Sequence, residues 1–431
     1  MRRNTIQLKQ PIVIVGAGAA GMWAAQACAR AGASVLLLEK TKRTGTKILA
    51  SGGTRCNLTT TLDSNKAGRL FGPAGERFLR PALRNLTPQG VVDQFEAWGV
   101  PCVTADLEKI FPESQKAKDV RDAMELAARQ AGVEIRPNTR VMGIERVLDR
   151  YRLTLEEGEP IEALTLMLCS GGQSFPGSGT TGDGYAWLRS LDLKVAPPYP
   201  ALAPLRSSEA WVHELSGIAL QDAEVRLLNS AGKELMRRRR PVMFTHKGLS
   251  GPAAMDVSGI VAREQERARF DSRVPHFTLS IDLCADQTWE QLRDELIEAS
   301  RASGSPRLAR ALGSRFPRRL VEAVCAQAGV PPNPPIAQVS KAMRHKLVET
   351  FKGLCVLVEG TLGFDVAEVT GGGLDLKEVN PRTMEVNRYP GLYVFGELLD
   401  VDGPIGGFNF QAAFSTAQLA AQHALSSSGI Q

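Results

Sequence analysis

Four consecutive β-branched residues, Ile12-Val13-Ile14-Val15, run without a break into Gly16-Ala17-Gly18-Ala19-Ala20-Gly21 and on into the helix-forming stretch Met22 to Arg30. A strand of that composition suits the buried centre of a parallel sheet. The three glycines have separate tasks: Gly16 permits the tight strand-to-helix turn, Gly18 lets the backbone approach a pyrophosphate, and Gly21 lets the helix lie close on the strand. The amides that open the helix, with its dipole, suit phosphate oxygens. Gly32 closes the helix, Ser34 to Leu38 reads as a second strand, and Glu39 stands at its end, 18 positions past Gly21. A carboxylate there can accept both hydroxyl protons of an adenosine ribose and repels a 2′-phosphate. The expected ligand is therefore FAD or NAD rather than NADP. The competing reading, a glycine turn that binds nothing, is weakened because strand, spacing, helix and acid coincide.

With 431 residues, 43% of them hydrophobic and 23% charged, the chain has the size of two or three domains and an ordinary globular composition. Its apolar runs are far short of the ~20 residues a membrane-spanning helix needs. The polar, basic start from Met1 to Gln10 lacks the continuous apolar core of a signal peptide, so a cytoplasmic protein with no membrane partner is expected. Seven widely spaced cysteines, with no Cys-x-x-Cys pair and no neighbouring His cluster, indicate neither a disulfide framework nor a metal site. Strand-like and helical runs alternate over 1–197 as in a βαβ fold. The prolines from Pro197 to Pro204 open an insert, β-rich over 198–290 and helical over 291–351. The segment 352–431 completes the first domain.

Two further motifs bear on the choice of dinucleotide. Leu164 to Cys169 is an apolar strand ending in Ser170-Gly171-Gly172, and Gly391 to Phe395 is another ending in Gly396-Glu397. Flavoproteins of the two-dinucleotide-binding type return to FAD in this way, and Glu397 stands where an acid hydrogen-bonds the ribityl chain. Beyond it, Gly406-Gly407-Phe408-Asn409 leads into the last helix, whose N-terminus would stabilise negative charge on a reduced flavin ring. The glycines there are expected to bring the backbone close to the ring; a plain helix-capping loop is the alternative. Together these motifs favour FAD. Gly371-Gly372-Gly373 lacks a third spaced glycine and a following helix, so a separate NADH domain is not supported, and NADH or NADPH as electron donor would dock transiently over the flavin.

The chain closely resembles the BaiN/RdsA family of FAD-dependent oxidoreductases. The resemblance rests on Gly16 to Gly21, Lys47-Ile-Leu-Ala-Ser-Gly-Gly-Thr-Arg-Cys-Asn57, Ser170 to Gly172 with Thr181-Gly-Asp-Gly-Tyr185, Phe244-Thr-His-Lys-Gly-Leu-Ser-Gly-Pro252, and Gly396-Glu397 through Asn409. It covers nearly the full length; Thr54, in place of glycine, and Phe408, in place of tyrosine, are mild departures. It implies an α/β fold in which a split Rossmann-like FAD-binding domain carries an inserted β-barrel-like subdomain and a small helical subdomain. Cofactor contacts are implied at Gly16, Gly18, Ala19, Ala20, Gly21, Glu39, Lys40, Lys47, Ser51, Arg55, Asn57, Leu58, Val141, Ser170, Gly171, Gly172, Gly396, Glu397, Gly406, Gly407, Asn409 and Phe410. Activities in the family differ: reduction of a carbon-carbon double bond in oxo-steroids, oxidation of aminoacetone, and formation of dihydrouridine in large-subunit ribosomal RNA. The family therefore implies the cofactor and leaves the substrate open.

The expected chemistry is hydride transfer from flavin N5 to an electron-poor double bond, with a protein acid protonating the neighbouring carbon. Cys56 is a candidate for that acid, as a thiol near its ordinary pKa of ~8.5, although such cysteines more often simply pack. His246, in a loop that the resemblance places facing the flavin, is the second candidate, because imidazole exchanges protons near neutrality. Lys247 beside it would pair with an anionic substrate or remain solvated.

The net charge of +6 is unevenly placed. Between Ala201 and Phe351 there are 22 Lys/Arg against 17 Asp/Glu, and Arg301 to Lys346 holds nine bases and the single acid Glu322. Arg237 to Arg240 adds four consecutive arginines. Such clusters suit a phosphate backbone, which makes ribosomal RNA an expected partner, though the stretch offers only Phe316 for base stacking. Two other readings stand beside a uridine reductase: a small-molecule enone reductase or amine oxidase, in which the arginines are merely surface, and an RNA-binding flavoprotein without turnover.

Overall fold

A computed structural model describes residues 10–270, 275–301 and 304–427; the N-terminal stretch Met1 to Lys9, used above for localisation, lies outside them. Contacts gather into two units, 1–199 with 368–431, and 200–367. Each has its own hydrophobic core.

In the first unit, β1 (Ile12–Val15) passes through Gly16–Gly18 into α1 (Ala19–Arg30), and β2 (Val35–Leu38) returns beside β1. With β3 (Glu134–Arg136), β4 (Leu166–Leu168) and β5 (Leu392–Val394) they form a parallel sheet in the order β5-β4-β1-β2-β3. β1, β2, β4 and β5 are buried at every position, which is why their sequences are continuous apolar runs rather than alternating ones. Helix α1 buries nine of its twelve residues. It packs on the C-terminal helix, Phe408–Ser427, through Trp23, whose ring lies 4.8 Å from that of Phe414 and whose indole N–H donates to Gln418 at 2.9 Å. All five strands point their C-terminal ends to one edge, where the loops that carry the motifs emerge.

The second unit is built on a seven-stranded antiparallel sheet in the spatial order 354–358, 277–282, 219–229, 234–245, 248–250, 205–206, 360–361. Its two outer strands are separated in the chain only by Glu359, so the sheet curls as the expected barrel-like insert does. Helices Ala210–Glu214, Pro252–Arg267, Trp289–Ser300, Leu308–Ala311, Arg318–Gln327 and Lys341–Lys352 complete it. The stretch 352–367, expected to rejoin the first domain, instead runs in this sheet. Leu354, Val356 and Val358 alternate inward there, giving a half-buried strand whose inner face needs the second core. Gly371 to Gly373 lie inside a strand, Val369–Leu374, followed only by a single 3-10 turn, Leu376–Glu378. Among the described residues no helix is long and apolar enough to cross a membrane.

Candidate active site

Helix α1 begins at Gly18 with no side-chain cap and no acid in its first turn. Its leading amides therefore lack the acceptor that a helix start normally finds. A Cβ built on Gly18 meets nothing within 4 Å, whereas one on Gly21 would lie 1.8 Å from the Gly16 carbonyl oxygen. The second glycine thus keeps open a space that the protein does not fill, and the third is required by helix-on-strand contact, as expected of a pyrophosphate turn.

The Glu39 carboxylate stands at the end of β2. One oxygen accepts from the Ala17 amide at 2.9 Å, and the other from the Thr41 amide and hydroxyl, both at 2.8 Å. These bonds hold it beside the glycine turn. The segment before Val141 hydrogen-bonds the same corner, Thr139 N–H to the Glu39 carbonyl at 2.8 Å. Lys40 pairs with Asp183 at 2.7 Å and donates to Thr181. Burial alone would raise the Asp183 pKa, but Lys40, Thr181 and Arg140 outweigh it and hold the carboxyl below its ordinary value.

A second acid closes the other side. Both oxygens of Glu397 accept from the Lys47 ammonium, at 2.9 and 2.8 Å, and one also accepts from Ser174 Oγ at 3.1 Å and the Thr370 amide at 2.8 Å. The strand ending in glycine and acid singled out Glu397, and the family resemblance singled out Lys47. Neither could show that they pair, nor that Ser174 and Thr370 join them, because those partners are 27 to 350 residues apart in sequence and Ser174 and Thr370 carry no motif of their own. Nearby in the chain, the hydroxyls of Ser170 and Tyr185 are buried without a hydrogen-bond partner. Burial, with Glu397 and Asp400 near, pushes the tyrosine hydroxyl strongly up, so it is a neutral donor. A buried hydroxyl left unmatched is costly, and such orphans fit a site that a ligand completes.

The loop after Ser51 is strained. Gly52, Gly53, Thr54 and Cys56 have φ of 56, 66, 67 and 61°. Thr54, where glycine was expected, is a β-branched residue in the left-handed region. It is held there by the Ala117 amide donating to its carbonyl at 2.8 Å, while the neighbouring Arg55 guanidinium lies 4.5 Å from the centre of the Phe111 ring. Relief of roughly 1–2 kcal/mol of strain, less about 0.5–1 kcal/mol for glycine's extra freedom when unfolded, gives Thr54→Gly a net stabilisation of about 0.5–1 kcal/mol, to be read from urea unfolding.

Cys56 does not fit the role of proton donor. It has no exposed surface, and burial pushes its thiol up to about 12 despite a lowering hydrogen bond with Ser51. A thiol that cannot reach substrate and scarcely releases its proton near neutrality is a packing residue. Cys56→Ala should keep wild-type turnover, and in the folded protein a thiol reagent should label the exposed Cys355 well before Cys56.

Asn57 is also occupied. With its amide oriented by its neighbours, the nitrogen donates to the carbonyls of Thr59 and Ile110, and the oxygen accepts from the Gly407 amide at 2.9 Å. Leu58 is fully buried beside it. A Cβ on Gly407 would stand 2.3 Å from the Thr59 carbonyl oxygen, and one on Gly406 would strike the Phe408 ring. Protein neighbours by themselves thus demand glycine at both positions. Asn409 bonds Gly403 through both side-chain atoms, and Phe410 stacks on Phe414 at 5.7 Å.

His246 and Lys247 are exposed in the turn between strands Glu234–Thr245 and Gly248–Ser250 of the second unit. The four arginines before them are not free charge. Arg237 pairs with Glu224 and Glu234, Arg239 with Asp222, and Arg238 and Arg240 flank the buried Asp256 at 3.8 and 3.7 Å. In the helical stretch Arg315 pairs with Glu295 and Arg318 with Glu322, and Phe316 is buried against Phe351 at 5.4 Å. The one aromatic noted for base stacking is therefore core. Among the described residues no cluster of His, Cys, Asp or Glu is arranged for a metal ion.

An uncapped helix start beyond a glycine turn, an acid closing the second strand and another at the far edge strand, all at one end of a parallel sheet, define a flavoprotein oxidoreductase with a Rossmann-type FAD-binding domain. The chain belongs to the HI0933-like family: the family described as HI0933-like protein Rossmann domain matches residues 10–423. It is 31% identical over 413 residues to the ribosomal RNA dihydrouridine synthase of Escherichia coli K12, covering 95% of this chain and 96% of that protein. It is 29% identical over 416 residues to the 3-dehydro-bile acid delta(4,6)-reductase of Clostridium scindens, covering 96% and 98%. Among solved structures, the 3-ketosteroid delta1-dehydrogenase of Sterolibacterium denitrificans shares the fold, with a TM-score of 0.50, 14% identity and coverage of 96% and 99%.

Proposed function

We propose that this protein is an FAD-dependent reductase that saturates the C5–C6 double bond of a uridine in large-subunit ribosomal RNA, giving dihydrouridine. The observation that carries this reading is the full-length similarity to a protein named for that reaction. The relative named as a bile-acid reductase supports the common chemistry, saturation of a double bond made electron-poor by conjugation to a carbonyl.

The residues at the strand ends fit FAD. The α1 amides and Gly18 would hold the pyrophosphate, Glu39 the adenosine ribose and Glu397 the ribityl chain, with Ser170 Oγ gaining the partner it lacks. FAD supplies a hydride equivalent, recharged by NADH or NADPH. The chain's own part is to fix the acceptor carbon in place and to deliver one proton to the carbon beside it. With Cys56 packed away, His246, exposed in the turn after Thr245, is the proposed donor. The purified protein should be yellow and should, with NADH or NADPH, raise the mass of a uridine in a ribosomal RNA fragment by two hydrogens. His246→Ala should lower the rate on the order of 10²-fold or more, with flavin content unchanged. No reduced uridine in any fragment of the large-subunit RNA would sink the substrate assignment.

A second reading, an enone reductase acting on a small molecule, is favoured by the arginines of 237–240, all of which are answered by carboxylates of the chain itself.

A further inference from the structure

On the first unit, where β2 and β3 end, lies a pocket of about 190 Å³ that none of the chemistry above uses. Its lining holds Lys42, Arg43, Arg121 and Arg129 against one carboxylate, Glu125, with Thr44 between them. Glu125 is fully engaged: one oxygen accepts from Arg129 at 2.9 and 2.7 Å, and the other from the Thr44 hydroxyl at 2.7 Å. Beneath it, the Arg121 stem is seated against Gly45, where a Cβ would come within 2.6 Å of Arg121 Cγ. Arg121 reaches Asp122 at 2.7 Å and Glu125 at 3.7 Å, yet its Nε–H is buried with no acceptor. Lys118 also contacts Asp122. Even counting Asp122 with the pocket, four cations face two carboxylates. An orphaned guanidinium donor, two exposed cations and a rigid Thr44–Glu125–Arg129 wall make a place for a tetrahedral oxyanion, which guanidinium groups bind through directed hydrogen bonds.

We propose that this pocket binds a phosphate ester of a nucleotide other than FAD, with Lys42, Arg43 and Arg121 as its ligands. Two sources share that chemistry. One is a backbone diester of the RNA whose uridine is reduced; the other is the 2′-phosphate of NADPH, which Glu39 excludes from the dinucleotide turn. The RNA source rests on the reading of ribosomal RNA as substrate; the NADPH source does not.

The test uses the FAD-loaded full-length chain and two probes, a single-stranded RNA dodecamer and adenosine 2′,5′-bisphosphate. Lys42→Ala/Arg43→Ala should weaken at least one probe 10-fold or more and leave FAD content unchanged. The control Lys66→Ala/Arg69→Ala, which removes two exposed charges elsewhere, should weaken it less than 3-fold. Loss of the RNA probe identifies the diester, and loss of the bisphosphate identifies the NADPH phosphate. The proposal is overturned if wild type binds neither probe, if the pocket variant binds both as wild type does, or if the control loses as much as the pocket variant. Uridine reduction is read separately, by mass spectrometry, so failure of the pocket and failure of the substrate assignment give different results.

Discussion

Gly18→Val protein should fold with close to wild-type stability and purify without flavin, whereas Gly21→Val should fail to fold. The two glycines lie three residues apart in one motif, and the difference comes from what surrounds them. At Gly18 the added side chain enters open space, and the residue's φ of −80° and ψ of −166° suit valine. The fold loses only the preference for glycine over valine at a helix N-cap, about 1 kcal/mol or less. The side chain would, however, occupy the volume above the α1 amides, and exclusion of the pyrophosphate should weaken FAD binding at least 100-fold, about 2.7 kcal/mol. At Gly21 the Cβ would lie 1.8 Å from the Gly16 carbonyl oxygen. Ordinary contact needs roughly twice that distance, so α1 would have to leave β1 at the centre of the largest core, a clash of the kind that costs more than about 4 kcal/mol. Absorbance at 450 nm and circular dichroism of the two purified variants separate the effects. A flavin-loaded Gly18→Val protein would show that the open space is not the pyrophosphate site.

The second large effect is expected at Glu397. In Glu397→Ala the Lys47 ammonium loses both of its contacts to that carboxylate, and the Thr370 amide and Ser174 hydroxyl lose an acceptor. The side chains of Lys47 and Glu397 are 27% and 22% exposed, so water recovers part of the loss. A destabilisation of about 2 kcal/mol is expected, below the ~3–5 kcal/mol of a fully buried broken pair. FAD affinity should fall further than stability does, by roughly 100-fold, because the ribityl partner is removed and a lysine is freed to shift. A double-mutant cycle with Lys47→Met and Glu397→Gln should give a coupling of ~1 kcal/mol or more in urea unfolding. Additive effects would mean that the pair contributes nothing as a pair.

The first unit was legible because its information is local. A buried parallel strand, a glycine turn and an acid at a fixed spacing can be read along one segment, and Ile12 to Glu39 folds as its spacing implies. What escaped was carried by long-range partners. Cys56 stands in a motif loop, but only the packing shows that it has no exposed surface. The arginines 237–240 looked like free charge because Asp222, Glu224 and Asp256, which face them, come from a neighbouring strand and a helix. The strand at 354–358 was assigned to the wrong unit because five alternating residues say that one face is buried without saying against which core. Thr54 was noticed as a departure from glycine, and its φ of 67° supplies the physical reason glycine was expected.

The most direct measurement is mass-spectrometric mapping of dihydrouridine in large-subunit ribosomal RNA from cells with and without this protein. Loss of dihydrouridine at one position, restored by the wild-type chain and not by Gly18→Val, is the predicted result. An unchanged dihydrouridine pattern in cells lacking the protein would contradict the account.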